Sequence, residues 1–240
     1  YRFTLVFGEA RETDDAEGRV TETSAVRPTD EAIQAVLPSF HGEIEQVPPV
    51  YSAIHVDRAR AYDLARAGEK VELKARKVRI DRLALIGRPD PDLAMFEVDC
   101  GKGTYVRSLA RDIAKRLGTV GHVGALRRTR SGPFRETEAI SLASIEALGH
   151  SPRPEAALRP VLAALVDIPA LAVSGTDAAL LRQGRPVEVA GAVSFPSLGS
   201  AVCVTAEGRP IAIVRLKDGL AAPVRVFNLK ETYDVAERGP

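Results

Sequence analysis

Bulky and β-branched residues alternate with polar ones over residues 1–7 (YRFTLVF), the two-residue beat of a strand. Residues 8–18 (GEARETDDAEG) break the beat with turn formers and carboxylates and read as an acidic loop. The run Pro28-Thr29-Asp30-Glu31 predicts a helix start capped by Thr29 or Asp30, and the helix should reach Leu37 or Pro38. Pro48-Pro49 forces an extended entry into a stretch that turns helical over residues 59–67 and stops at Gly68. Residues 93–100 form a strand and Gly101-Lys102-Gly103 a tight turn. Thr104 is placed to cap a helix that ends at Leu117 and Gly118. Val106, Leu109, Ala110, Ile113 and Leu117 make one apolar stripe at helical spacing. Arg107, Arg111 and Lys115, four apart, make a cationic stripe on another face.

Residues 123–134 read as a further strand-like piece and 141–148 as a short helix. Residues 149–160 (GHSPRPEAALRP) have three prolines and no pattern, as a connection between domains does. The character then changes. A helix ends at the Gly of residues 180–186 (LLRQGRP), and short strands follow at 187–190, 201–205, 211–216 and 224–227, punctuated by tight turns. That is a small β-rich domain, read as a compact barrel. The division expected is 1–150, a linker at 151–168, and 169–240.

Composition changes this picture little: 45% hydrophobic and 27% charged residues describe ordinary globular material, and no apolar run is long enough to span a bilayer. No membrane association is expected and no leader peptide is seen. Cys100 and Cys203 lie in apolar strand-like runs and read as buried reduced thiols, which suits a cytoplasmic location. His41, His55, His122 and His150 show no metal-ligand spacing with each other or with the cysteines, so no zinc site is expected. Asp14 and Asp15 read as solvated turn residues, because the spacing of a calcium loop is absent.

Charge changes the picture more. The net charge of +1 hides an asymmetry: residues 1–50 carry 4 Lys/Arg against 10 Asp/Glu, whereas residues 101–135 carry 9 against 1. So concentrated a basic block points to a polyanion, since clustered cations gain by displacing condensed counterions. Residues 51–82 add Tyr51 and Tyr62 among Arg58, Arg60 and Arg66, followed by Lys74, Arg76, Lys77, Arg79 and Arg82. Aromatics interleaved with cations suit RNA, where bases stack on rings and phosphates meet Arg and Lys. A surface hairpin with no ligand would carry the same residues. The Gly-Lys-Gly turn could cradle a phosphate, but the spacing of a nucleotide P-loop is absent.

Four pieces stand in order: YRFTLVFGEARETDDAEG, QVPPVYSAIHVDRARAYDLARAG, GKGTYVRSLARDIAKRLG and HVGALRRTRSGPF. This set resembles the TruB family of bacterial tRNA pseudouridine synthases, and the β-rich tail resembles that family's PUA-like domain. The resemblance covers nearly the whole chain. It implies an α+β fold, with a mixed, mainly antiparallel sheet and flanking helices, plus a small PUA-like barrel. It implies isomerisation of a T-loop uridine in tRNA to pseudouridine, without cofactor, by a monomer needing no protein partner. The family flips the uridine out, breaks its glycosidic bond with an aspartate as the attacking group, and rejoins the base through carbon. Tyr1 would stack on the flipped base, as an unstacked base requires. Tyr105 would contact the base and help move the proton lost from carbon. Arg107 would pair with the catalytic aspartate and keep it charged, and Leu126 would close the apolar wall. An insertion at about 47–80 would grip RNA. Lys74, Arg76, Lys77, Arg79, Lys102, Arg111, Arg127 and Arg128 are the candidate phosphate contacts.

Two departures stand out. The family's aspartate lies in a segment upstream of the strand that starts at Tyr1, and no such segment is found among these residues. The chain is therefore expected to be the later part of a longer protein. His55 stands where the family usually has Lys, and Arg58 where it has Gly. Two other readings fit part of the pattern: a non-catalytic RNA-binding module, and the subunit of a guide-RNA-dependent pseudouridine synthase. The absence of a basic tail speaks against the second, since residues 136–240 hold 10 Lys/Arg and 12 Asp/Glu.

Two outcomes are expected. The 240-residue chain alone should convert no uridine to pseudouridine; turnover by the purified fragment would overturn the assignment of the nucleophile. Its affinity for tRNA in a filter-binding assay should fall steeply as salt is raised, whereas a flat response would remove the phosphate contacts assigned above.

Overall fold

The computed structural model describes residues 1–56, 59–69, 71–150, 157–189 and 201–229. Its compact units are Tyr1–Thr129 and Arg130–Pro240. The boundary expected at 150 falls inside the second unit, and part of the expected linker, 151–156, lies outside the described residues, as does Arg58.

The first unit begins with β1 (Arg2–Phe7), then β2 (Glu9–Arg11) and β3 (Val20–Thr23), which pair as a hairpin around the acidic loop. Helix α1 (Asp30–Val36) follows, and its cap is Thr29, whose side chain accepts from the Ala32 N–H. The helix is shorter than expected, because a 3₁₀ turn takes over at Leu37–Phe40 with Pro38 in its first turn. Next come β4 (Gly42–Gln46), the two-residue strands β5 (His55–Val56) and β6 (Ala59–Arg60), and helix α2 (Ala61–Arg66). The long β7 (Arg76–Asp90) and β8 (Leu93–Cys100) lead to α3 (Val106–Arg116) and β9 (Gly121–Arg127). The sheet order is β4-β7-β8-β1-β9, and every neighbouring pair is antiparallel.

Burial follows the expected beat. Phe3, Leu5 and Phe7 of β1 point inward, and Phe3 stacks on Phe96 of β8 with ring centroids 5.2 Å apart. Each such aromatic contributes about 1.5–3 kcal/mol by leaving water. Val106, Leu109, Ala110 and Ile113 of α3 are buried in the same core, with Leu117 packed at its edge. The helix can lie this close because residue 121 is glycine. A Cβ there would meet the Val6 carbonyl at 2.7 Å and the Ala114 Cβ at 3.1 Å.

One local expectation fails at α3. Its N-cap is Tyr105, and no side chain caps it. Thr104 does not do so, and the Tyr105 N–H is met instead by an acceptor from β4, as described below.

The second unit opens with the small hairpin β10 (Arg130–Ser131) and β11 (Phe134–Arg135), then α4 (Leu142–Gly149), capped by Ser141. Five further strands, β12 (Ala170–Ala172), β13 (Val187–Glu188), β14 (Ala201–Ala206), β15 (Arg209–Lys217) and β16 (Leu220–Val226), form one sheet in the order β12-β14-β15-β16-β13. Among the described residues of this sheet only the β12–β14 pair is parallel. Helix α5 (Gly175–Arg182) places Ala178 and Leu181 in a core with Val202, Val204, Ile211 and Val214. Both cysteines are free thiols, Cys203 buried and Cys100 half-buried. Among the described residues no helix is long and apolar enough to cross a membrane.

Candidate active site

The site is built where two distant chain segments meet the first turns of α3. The first segment is the acidic loop. Asp14 adopts a left-handed backbone, φ 60°, which Asp tolerates better than most residues. Its carbonyl accepts the Val123 N–H of β9 at 3.0 Å, which ties the loop to the sheet. Asp15 is held from within the loop: its Oδ1 accepts from the Thr13 hydroxyl at 2.5 Å and from the Glu17 N–H at 3.2 Å.

Arg107, in the first turn of α3, joins this loop to the entry of the insertion. Its Nη1 donates to Asp15 Oδ2 at 3.0 Å and to the Thr13 carbonyl at 2.8 Å. Its Nη2 donates to the Tyr51 carbonyl at 2.8 Å. Only 23% of the Arg107 side chain is exposed, so these partners fix the direction of a largely desolvated guanidinium. A guanidinium has five N–H groups. The Nε–H and the second Nη2–H therefore remain for one more acceptor, beyond the partners among the described residues.

One turn further on, Arg111 repeats the pattern. It donates to Asp14 Oδ2 at 2.8 Å, to Asp112 Oδ1 at 3.1 Å and to the Val47 carbonyl at 2.8 Å. Burial pushes the carboxyls of both Asp14 and Asp112 above the usual range, and the Arg111 charge offsets only part of that. Asp14 and Asp15 are thus not solvated turn residues. Each is the counter-ion of one α3 arginine, 97 residues away in sequence for Asp14 and 92 for Asp15. Arg111, expected at a phosphate, is engaged by these protein groups.

The other expected residues lie around this centre. Tyr105 is the N-cap of α3, and its N–H donates to Gln46 Oε1 at 2.8 Å. Tyr1 sits at the start of β1; its backbone nitrogen donates to the Val98 carbonyl, and its ring packs on the core. The Arg128 guanidinium lies 5.2 Å from the centroid of that ring. Leu126 is opposite Phe3 in the ladder and 48% exposed, so its apolar side chain stands open. Lys74, Arg76, Lys102 and Arg127 are exposed. Lys77 is paired with Glu43 at 2.7 Å and Arg79 with Asp81 at 2.6 Å, both near the surface. His55 is exposed in β5.

Sequence reasoning missed Asp15, Gln46 and the carbonyls of Thr13, Val47 and Tyr51. Only the adjacent carboxylates gave any local signal. No group of three His, Cys, Asp or Glu among the described residues could hold a metal.

Comparison with known proteins is consistent along the chain. Residues 1–106 match the family model described as TruB family pseudouridylate synthase (N terminal domain). Residues 107–166 match that described as tRNA pseudouridylate synthase B C-terminal domain. Proteins named tRNA pseudouridine synthase B are similar at 54% identity in Bradyrhizobium diazoefficiens and 52% in Nitrobacter winogradskyi, each over 95% of this chain. That of Gluconacetobacter diazotrophicus is 51% identical, also over 95% of the chain. The chain spans 68%, 65% and 76% of those relatives' lengths. Among solved structures, a Cbf5-Nop10-Gar1 complex has a chain superposing with TM-score 0.64 at 22% identity, covering 95% of this chain and 66% of its own. An H/ACA RNP bound to a substrate RNA containing 2'-deoxyuridine gives TM-score 0.65 at 19% identity, covering 98% and 68%. These two likenesses establish the fold alone.

Asp14 offers a test of the electrostatics. A carboxyl whose pKa is raised on folding binds its proton more tightly in the folded state, so its contribution to stability falls as pH rises through that value. Asp14→Asn keeps a residue suited to the left-handed backbone and removes the charge. In urea unfolding its stability relative to the parent chain should be higher at pH 7 than at pH 4. No change in the difference across that range would refute the buried charge.

Proposed function

The chain belongs to the TruB family of pseudouridylate synthases, and on that premise we propose that the protein isomerises a T-loop uridine of tRNA to pseudouridine. The bond from N1 to C1′ breaks and one from C5 to C1′ forms. The proton lost at C5 is balanced by one gained at N1, so the reaction needs no oxidant, reductant or cofactor. The observation that carries this reading is Arg107: a charge-assisted pair to Asp15, two backbone carbonyls, and donors left over for another carboxylate. A nucleophilic aspartate placed there stays ionised and aimed, because a neighbouring guanidinium lowers its pKa. The resemblance puts that aspartate in the segment ahead of Tyr1.

In this reading Tyr1 stacks on the flipped base, Tyr105 contacts its edge at the start of α3, and Leu126 supplies apolar wall. Arg128, already over the Tyr1 ring, joins Lys74, Arg76, Lys102 and Arg127 in meeting the backbone of the T-stem-loop. The β-rich sheet of 169–240 is a PUA-like domain, and 1–150 is the catalytic domain with its RNA-gripping insertion at 47–80. The enzyme acts as a cytoplasmic monomer, without an obligate protein partner.

The full-length protein, given an unmodified tRNA transcript labelled with tritium at uridine C5 and no guide RNA, should release the label from a single T-loop position. Binding without release would make it a binding module. Release only with an added guide RNA would make it a guide-dependent subunit. In the same assay Asp15→Ala should slow release by about tenfold or more, as loss of a charge-assisted bond worth about 1.5–3 kcal/mol implies.

A further inference from the structure

We infer that Gln46 is a positioning residue for the reaction: its side chain holds the start of α3, and through it Tyr105 and Arg107, against the entry of the insertion. The inference rests on the proposed function and adds a residue to it.

The first N–H groups of a helix have no partner inside the helix and need one elsewhere. Helix α3 has no side-chain cap of its own. The Tyr105 N–H instead donates to Gln46 Oε1 at 2.8 Å, from a strand 59 residues earlier. Gln46 is 1% exposed, the most buried polar residue of the chain after Ser108 among those described. Its Nε2 is buried with no partner among the described residues. A position kept for packing alone would take an apolar side chain, which brings no such unmet donor. What Gln46 supplies is the acceptor.

The same stretch is joined to α3 at two further points. Arg111 donates to the Val47 carbonyl and Arg107 to the Tyr51 carbonyl, both at 2.8 Å. Between them lie Pro48 and Pro49, which fix φ and have no N–H to form other bonds. Gln46 to Tyr51 is therefore a stiff strip held at its start, next to its start and at its end by the first two turns of α3. A shift of the insertion would reach Arg107 through the Tyr51 carbonyl. Gln46 is the fixed end that resists it.

The test uses the full-length protein. Gln46→Met keeps length and apolar bulk but removes the acceptor; Gln46→Glu keeps an oxygen acceptor. Single-turnover pseudouridine formation, tRNA Kd and melting are measured for both. Gln46→Met should lose tenfold or more in rate, with Kd within twofold, and Gln46→Glu should recover at least threefold of that loss. A wild-type rate for Gln46→Met overturns the inference. So does a rate loss matched by an equal loss of affinity, or no recovery in Gln46→Glu, either of which marks a packing role. Should a variant fail to fold, hydrogen exchange of the parent protein decides: the Tyr105 amide should be protected to the level of the core of α3, and exchange at the rate of an open amide sinks the idea. This arm needs no turnover. Failure of the parent protein to convert uridine would count against the proposed function, while protection at Tyr105 would still report on Gln46.

Discussion

The pairing of Arg107 with Asp15 and two backbone carbonyls is the constraint on which the rest of the site depends. A guanidinium removed from water is costly unless its donors are met, and removing one partner leaves an uncompensated charge. Here the partners come from two segments distant in sequence, the acidic loop and the entry of the insertion. Meeting the needs of one side chain thus brings three segments to one place. Arg111 does the same one turn later, with Asp14, Asp112 and Val47. The antiparallel sheet supplies the rigid floor: β8 delivers the chain to α3, and β9 ties down the loop through the Val123 N–H.

This arrangement divides the charge asymmetry of the sequence into two parts. The deficit of residues 1–50 and the excess of residues 101–135 partly cancel within the molecule, since Asp14 and Asp15 neutralise Arg111 and Arg107. The remainder faces outward. Lys74, Arg76, Lys102 and Arg128 are exposed, and Lys77 and Arg79 make only surface ion pairs, which water and salt screen and phosphate can replace. A basic block read from sequence is therefore an upper bound on the cations available to a polyanion. Which ones are used internally depends on contacts the sequence does not display.

Short-range signals are legible in the sequence, and long-range ones are not. The apolar stripe of α3, the Thr29 cap, the short helix near 141–148 and the residue 93–100 strand rest on periodicity and short-range chemistry, and the structure has them. The cap expected at Thr104 is absent, and the start of α3 is held instead at the Tyr105 N–H by a distant acceptor, Gln46. The roles of Asp14 and Asp15 have no local signature either: a loop of turn formers looks alike whether it faces water or a buried arginine. Family motifs single out Tyr105 and Arg107 as candidates, but no pattern within either segment announces that residues 13–15, 46–51 and 105–111 converge.

The left-handed backbone at Asp14 narrows the choice of side chain that can serve there. Along a regular strand, neighbouring side chains point to opposite faces. The kink at φ 60° instead lets adjacent residues each serve one of two arginines a helical turn apart. Glycine, asparagine and aspartate bear that conformation at least strain. Of the three, aspartate alone brings an anion. Two unrelated filters, one steric and one electrical, overlap there on a single letter of the amino-acid alphabet.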